Sequence, residues 1–398
     1  MKGVPFSLIL LPTLNCNADC DYCFEKKTER HLPLDQLSIV VQKVMDHMEH
    51  NHIETLSIYW QGGEVMTLPP EWFEEANRII QGIAGGRKCL VAHYLQSNMI
   101  AYTGKWNRVI AEMFSNSVGS SMDFPNLHRK LKGGGPKEYD RLWARKVREA
   151  TEAGVEVGVI AIPNERTLEM SAERFYSHFV DELGIKDFQI NTPFPGGSVN
   201  DVKMGYPLDT ERLSSFLADL ATVWIDRGFH RGVRVGPFNK LMDYFVHGNK
   251  DLLCIWRDNC VNDFVCIDSL GQVAQCDCWV TSYPEFWFGN VLDEGSFSDL
   301  LQNSAARRRL QIRPGVLIQN EDCLECGYLT LCHGGCPVRA YTVYGDIFRK
   351  DPYCELYRRL FQNMEAMAAK LPRSASASCR PISWRPGSPV RNSAESKR

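Results

Sequence analysis

The chain has 398 residues, 44% hydrophobic and 23% charged, with a formal net charge of −3. This is the composition of a folded globular protein with ample core, in one large or two ordinary domains. The near balance of charge gives no electrostatic reason to expect nucleic acid or an anionic membrane surface as partner. Fifteen cysteines, an odd count clustered at short spacings, argue for a reducing, cytoplasmic setting and for metal rather than disulfides.

The opening apolar run, residues 4–11, is too short for a secretory signal, and no small-residue cleavage site follows it. It reads as a buried strand, and no other apolar run approaches membrane-spanning length. Directly after it stand Cys16, Cys20 and Cys23, spaced C-x3-C-x2-C. Three thiolates on one short loop suit three irons of a cubane [4Fe–4S] cluster, which leaves the fourth iron open to a chelating small molecule; part of a zinc site is the alternative.

Apolar residues then fall at helical spacing over 33–50, followed by a strand at 55–60 that ends in Gln61-Gly62-Gly63-Glu64. The alternation continues with a helix from about 70, a strand at 90–95, a helix near 106–114 and a strand at 118–122. A helix at 138–153, a strand at 155–162, a helix at 171–183 and a strand at 188–191 complete the series. Such alternation implies parallel pairing with right-handed crossovers, and six βα units give an α/β fold, a partial (β/α)6 TIM-like barrel. Chemistry in such barrels sits at the C-terminal strand ends. There lie Gly62, Gly63 and Glu64, then Gln96-Ser97-Asn98, then Ser120-Ser121-Met122-Asp123. The glycines allow close backbone approach to a ligand, and Glu64 can accept a hydrogen bond from an ammonium group. A tight turn with an exposed glutamate is the alternative.

Residues 209–248 read as helical linking material interrupted by Pro237, after which cysteine density rises. Cys254, Cys260, Cys266, Cys276 and Cys278 surround a hairpin-like stretch over 265–279 that turns at Gly271. Cys323, Cys326, Cys332, Cys336 and Cys354 follow, too dense for a single four-ligand site. The last residues, 371–398, are rich in Ser, Arg and Pro and read as a disordered tail that includes Cys379.

The motif around Cys16, Cys20 and Cys23, with Tyr22 before the last cysteine, resembles that of the radical S-adenosylmethionine (SAM) enzymes. The later cysteines resemble their SPASM module, and the overall cysteine spacing is similar to that of anaerobic sulfatase-maturating enzymes. This resemblance implies a barrel over 1–235 and a SPASM domain over 236–370, with three [4Fe–4S] clusters and SAM as cofactors. Cys16, Cys20 and Cys23 would hold the first cluster, Cys254, Cys260, Cys276 and Cys336 the second, and Cys323, Cys326, Cys332 and Cys354 the third. Gly62, Gly63, Glu64, Gln96, Asn98, Ser121 and Asp123 would form the SAM site, and Asp277 would be the catalytic base; a solvated or capping loop aspartate is the alternative for Asp277. Val65, Met99 and Phe124 depart from the family pattern, and Glu25 stands where sulfatase maturases carry an aromatic residue.

The implied activity is SAM cleavage with hydrogen abstraction from a peptide or protein, oxidising Cys or Ser to formylglycine. An external one-electron donor such as flavodoxin or ferredoxin would feed it. A SPASM maturase forming thioether or carbon–carbon cross-links, a small-molecule dehydrogenase, and a non-catalytic iron–sulfur carrier or zinc module are the alternatives. Cys89, Cys266 and Cys278 match no ligand position and read as buried thiols, although Cys278 can compete for the face Cys276 presents. His47 and His50 read as a polar helix end rather than a metal site, and Gly133-Gly134-Gly135 as a flexible loop near the substrate entrance, since no Lys-Ser/Thr completes a phosphate loop.

Overall fold

A computed structural model describes residues 5–194 and 206–371, with the backbone of two short strands between them. Strands and helices alternate as β1 (Phe6–Leu10), α1 (Leu34–His50), β2 (Thr55–Trp60), α2 (Pro70–Arg87), β3 (Leu90–Leu95), α3 (Asn107–Phe114), β4 (Ser117–Ser121), α4 (Pro136–Glu152), β5 (Glu156–Ala161), α5 (Ala172–Ser177) and β6 (Asp187–Ile190). The apolar stripe of α1 is buried from Leu37 through Met48, and α2 opens on a proline and stops at Lys88 in the left-handed region. Strands β1, β2 and β3 pair in parallel, as do β4, β5 and β6, and a single parallel bridge between Gln96 and Gly119 joins the two groups. The strands therefore curve into an open, unclosed row, the partial barrel expected from the alternation.

Beyond the short strands β7 (Ser198–Val199) and β8 (Val202–Lys203), α6 (Thr210–Arg227) is capped by the Asp209 carboxylate. The segment expected to be helical linker then contains a strand, β9 (Arg234–Gly236), which pairs in parallel with β6 and lengthens the row. Three residues are too few to carry an alternation pattern, so this strand is set by its neighbour and not by local sequence. The expected division between residues 235 and 236 lies inside it. Helix α7 (Phe238–His247) follows.

The cysteine-rich part does not form a separate layer. Strand β10 (Phe264–Ile267) pairs in parallel with the free edge of β1, and β11 (Gln272–Ala274) and β12 (Gly289–Asn290) continue antiparallel, giving the order β12-β11-β10-β1-β2-β3. Gly271, at φ +80°, makes the hairpin turn. The hairpin is shorter than the expected 265–279, because residues 277–279 belong to helix α8 (Asp277–Ser282). The chain closes with α9 (Phe297–Asn303), α10 (Ala305–Asn320), α11 (Leu329–Cys332), α12 (Pro337–Tyr344) and α13 (Cys354–Lys370), the last packed on α6 and α7. Among the described residues no helix is long and apolar enough to cross a membrane. Residues 372–398, with Cys379, lie outside the described part, so all of the expected tail but Leu371 does too.

Candidate active site

Strand β1 delivers the three-cysteine loop to the C-terminal end of the strands. The loop is pinned on one side by residues 128–132: the Asp19 amide donates to the Lys130 carbonyl (2.8 Å), Asp21 to His128 (3.0 Å) and Lys132 to Asn17 (2.9 Å). Gly133-Gly134-Gly135 is therefore not a free loop. It ends this ladder and caps α4, with the Glu138 carboxylate accepting from the Gly135 amide at 2.6 Å.

On the other side the loop is tied to the strand end at 62–64. The Gly63 amide donates to the Thr13 carbonyl (3.1 Å) and the Glu64 amide to Asn15 (2.8 Å). A Cβ on Gly62 would sit 2.5 Å from the Thr13 carbonyl oxygen, and one on Gly63 2.5 Å from those of Leu14 and Asn15. The close backbone approach these glycines permit is thus to the cysteine loop itself, while both also border the cavity above.

That cavity, about 320 Å³, is lined by Cys16, Cys20, Cys23, Gly62, Gly63, Glu64, Gln96, Asn98 and Ser121, and by Asp277 from the far end of the chain. Glu64 is buried, its carboxylate accepting from Ser97 Oγ (2.6 Å) and from the Met66 (2.8 Å) and Asn98 (2.6 Å) amides. Burial pushes its pKa up and these donors oppose the rise. The Gln96 amide nitrogen donates to the Ser120 carbonyl and to Ser121 Oγ, both at 3.1 Å, and that of Asn98 to Asn17 Oδ1 at 2.7 Å. Asp123 stands apart from these residues: fully buried beneath the cavity, it accepts from the Tyr22 hydroxyl (2.6 Å) and the Ile162 amide (2.9 Å), and pairs with Arg129 at 3.1 Å. Its geometry is that of a tie between the cysteine loop and β4.

Asp277 opens α8, so its carboxylate accepts from the Cys278 amide (2.9 Å) while its other oxygen accepts from Gln61 Nε2 (2.9 Å). Burial raises its pKa. Three further residues of the cavity wall had not been assigned a role from sequence. Gln61 holds Asp277, and its place beside Gly62 was a usable signal. Arg339, on α12, donates to the Thr192 carbonyl (3.1 Å) and to the Tyr357 hydroxyl and pairs with Asp351 (3.8 Å), contacts that no local pattern announces. Glu25 lines the same wall, its pKa raised to about 8 first by burial and then by Asp277.

All fourteen described cysteines are free thiols. Burial raises the pKa of Cys16 to about 12 and of Cys23 to about 11, so thiolates here require a cation beside them, which is what iron supplies. The later cysteines fall into two interacting sets. The pKa of Cys260 is raised by burial and then by Cys336, Cys276 and Cys254; that of Cys332 by burial, Asp351, Cys354 and Cys323; and Cys354 feels Cys326. Two groups of four soft donors suit iron–sulfur clusters. The ligand atoms of Cys276, Asp277 and Cys278 lie within 4.8 Å of one another, so Cys278 does share the ligand's neighbourhood. Cys266 and Cys278 are buried as expected, whereas Cys89 is only half-buried, on the residue before β3. His47 bonds Ser298 Oγ (2.7 Å) and packs edge-on against Phe6 and Phe297, a satisfied side chain rather than a metal ligand.

No protein-family model matches the chain. In sequence it is similar to a cysteine-type anaerobic sulfatase-maturating enzyme of Clostridium perfringens, 26% identical over 377 residues that cover 90% of this chain and 96% of the relative. It is also similar to a serine-type anaerobic sulfatase-maturating enzyme of Bacteroides thetaiotaomicron, 22% identical over 88% of this chain and 86% of that one. In fold it matches anSMEcpe with bound AdoMet and a Cp18Cys peptide, at a TM-score of 0.76 and 20% identity over 94% of this chain and 99% of that one. Over most of its length the chain is thus similar in sequence to anaerobic sulfatase-maturating enzymes, and it shares the fold of anSMEcpe.

Proposed function

We propose that the chain is a radical SAM oxidoreductase that oxidises a cysteine or serine side chain of a peptide or protein to formylglycine. The observation that carries this reading is the convergence, in one cavity, of three loop thiols, the buried Glu64 and the Asp277 carboxylate brought from α8. Cys16, Cys20 and Cys23 would hold one cluster and the two later sets of four cysteines one each, with SAM bound beside the first. Bound there, these groups supply hydrogen-atom abstraction from the substrate Cβ and a sink for the electron that follows.

The chain's own residues do the rest. Glu64, fixed by Ser97 and two backbone amides, presents acceptor lone pairs to an ammonium group. Ser121, oriented by Gln96, offers a hydroxyl on the same wall. Asp277, held by Gln61 and the Cys278 amide, accepts the proton released as the substrate's oxygen or sulfur becomes doubly bonded to carbon; from cysteine, water then hydrolyses the thioaldehyde to formylglycine and hydrogen sulfide. An external flavodoxin or ferredoxin delivers the first electron.

The test is mass spectrometry of an anaerobic reaction of the reconstituted protein with SAM, dithionite and a serine- or cysteine-bearing sulfatase peptide. Deoxyadenosine together with a serine peptide lighter by two hydrogens is the expected result. Deoxyadenosine with every such peptide unchanged would refute formylglycine formation, and absence of deoxyadenosine would refute the radical reading.

A further inference from the structure

Glu25 is a carboxyl in the wall of the active cavity, next in sequence to Phe24 and two residues beyond Cys23. Among the described residues it makes no hydrogen bond and no ion pair. The cations that border the same cavity each have another partner: Lys27 Nζ donates to the Ala18 carbonyl (2.6 Å) and Asp19 (3.0 Å), Arg129 pairs with Asp123, and Arg339 binds Thr192 and Asp351, although Arg339 Nε makes no hydrogen bond and Lys27 also acts favourably on Glu25. Its other strong electrostatic neighbour is a second acid, Asp277, whose own two oxygens are occupied by Gln61 and the Cys278 amide. Glu25 is half-buried, and a carboxyl that borders a cavity without an ion pair of its own is an acceptor open to a cation that enters with the cavity's ligand.

We infer that Glu25 is a specificity-determining residue that pairs with a cationic side chain, lysine or arginine, flanking the residue oxidised in a peptide substrate. This rests on the reading that the cavity is where the peptide is oxidised. An ammonium or guanidinium placed against Glu25 pairs the free carboxyl, and it selects the peptide by charge at one position. The aromatic residue that the resemblance places at this position offers no such acceptor.

The experiment uses the reconstituted full chain with SAM and no reductant, and measures binding of labelled peptides by fluorescence anisotropy. The peptides share one target cysteine and differ only in whether lysine, arginine or glutamine flanks it. A preference of about tenfold or more for the basic peptides is expected, falling to within about twofold in Glu25→Gln and in Glu25→Tyr. Equal binding of basic and neutral peptides by the natural protein, or an undiminished preference in a variant that retains its iron, would overturn the inference. Repeating the series with dithionite separates the two readings. Conversion of basic and neutral peptides with equal affinity overturns the role of Glu25 alone, whereas a Glu25-dependent preference without deoxyadenosine overturns only the oxidase reading.

Discussion

The Tyr22 hydroxyl donates to the Asp123 carboxylate at 2.6 Å, joining the aromatic residue of the cysteine motif to the end of β4. Asp123 is fully buried and Tyr22 half-buried, and Arg129 lies 3.1 Å from the same carboxylate and over the Tyr22 ring. The bond is charge-assisted and screened from water, the condition in which removing one partner is most costly. Tyr22→Phe is expected to lower stability by about 1–3 kcal/mol. It also frees one side of the cysteine loop, so iron release to a chelator should be faster than from the natural protein, while total iron at the start is unchanged. Identical release kinetics would show that the backbone ladder alone fixes the loop.

Gly63→Ala places a methyl 2.5 Å from two carbonyl oxygens of the cysteine loop, a distance no backbone can absorb without moving. The substitution is expected to abolish assembly of the N-terminal cluster and spare the later cysteine sets. Iron analysis should therefore find about four irons fewer per chain, one cubane's worth, the same deficit as in a Cys16→Ala, Cys20→Ala, Cys23→Ala triple variant. SAM cleavage in the triple variant at the natural rate would refute the assignment of those thiols.

Asp277→Asn keeps the contact to Gln61 and loses the proton acceptor. Deoxyadenosine formation is expected to continue while peptide oxidation falls by a factor of about 100 or more, the range of a lost general base. Gln61→Ala leaves the Cys278 amide on Asp277, so its effect on product should be smaller, about tenfold, with SAM cleavage again retained. Chromatography of both products from one reaction reads the two quantities together.

His93 accepts from the Trp60 indole at 3.0 Å, its other ring nitrogen is shut from solvent without a partner, and burial pulls its pKa down to about 3. In the unfolded chain it takes a proton below about pH 6.5, whereas in the folded chain it does not. Stability is therefore expected to fall as pH drops below 6.5, by about 1.4 kcal/mol per unit at most from this residue, and the loss should continue until about pH 3. Thermal unfolding from pH 7.5 to 5.5 should show a shallower slope for His93→Phe.

Arg339 spans the two halves of the chain, from the Thr192 carbonyl after β6 to Tyr357 on α13 and Asp351 between α12 and α13. Arg339→Ala leaves Asp351 buried with a lost partner and is expected to destabilise by about 3–5 kcal/mol, measurable by chemical unfolding. Arg339→Lys should recover only part of this, because an ammonium cannot reproduce the guanidinium's forked contacts.

How far the sequence led can be followed residue by residue. Strands β2 and β3 were legible to the residue, because apolar runs bounded by loops carry a local signal. Strand β9 was hidden, since its three residues become a strand only by meeting β6. Asp277 was singled out through the resemblance to sulfatase maturases, yet its place at the start of α8, and hence the amide that holds it, left no mark in the sequence. Asp123 was grouped with the cofactor residues because it follows a strand end; its actual partners, Tyr22 and Arg129, lie in other loops, and such pairings leave no trace in spacing. Glu25 stood out only as a departure, and its lack of a partner became visible with the cavity wall.

The pairing of Leu8 with Val265 also bears on how the chain is made. On the ribosome β1 emerges early, but the strand that covers its outer edge is synthesised roughly 250 residues later, so this side of the first strand stays open through most of translation. An exposed apolar strand edge is a template for pairing with other chains. Truncation before β10 is therefore expected to yield an aggregating fragment, and slowing synthesis between α7 and β10 should lengthen the nascent chain's dependence on chaperones.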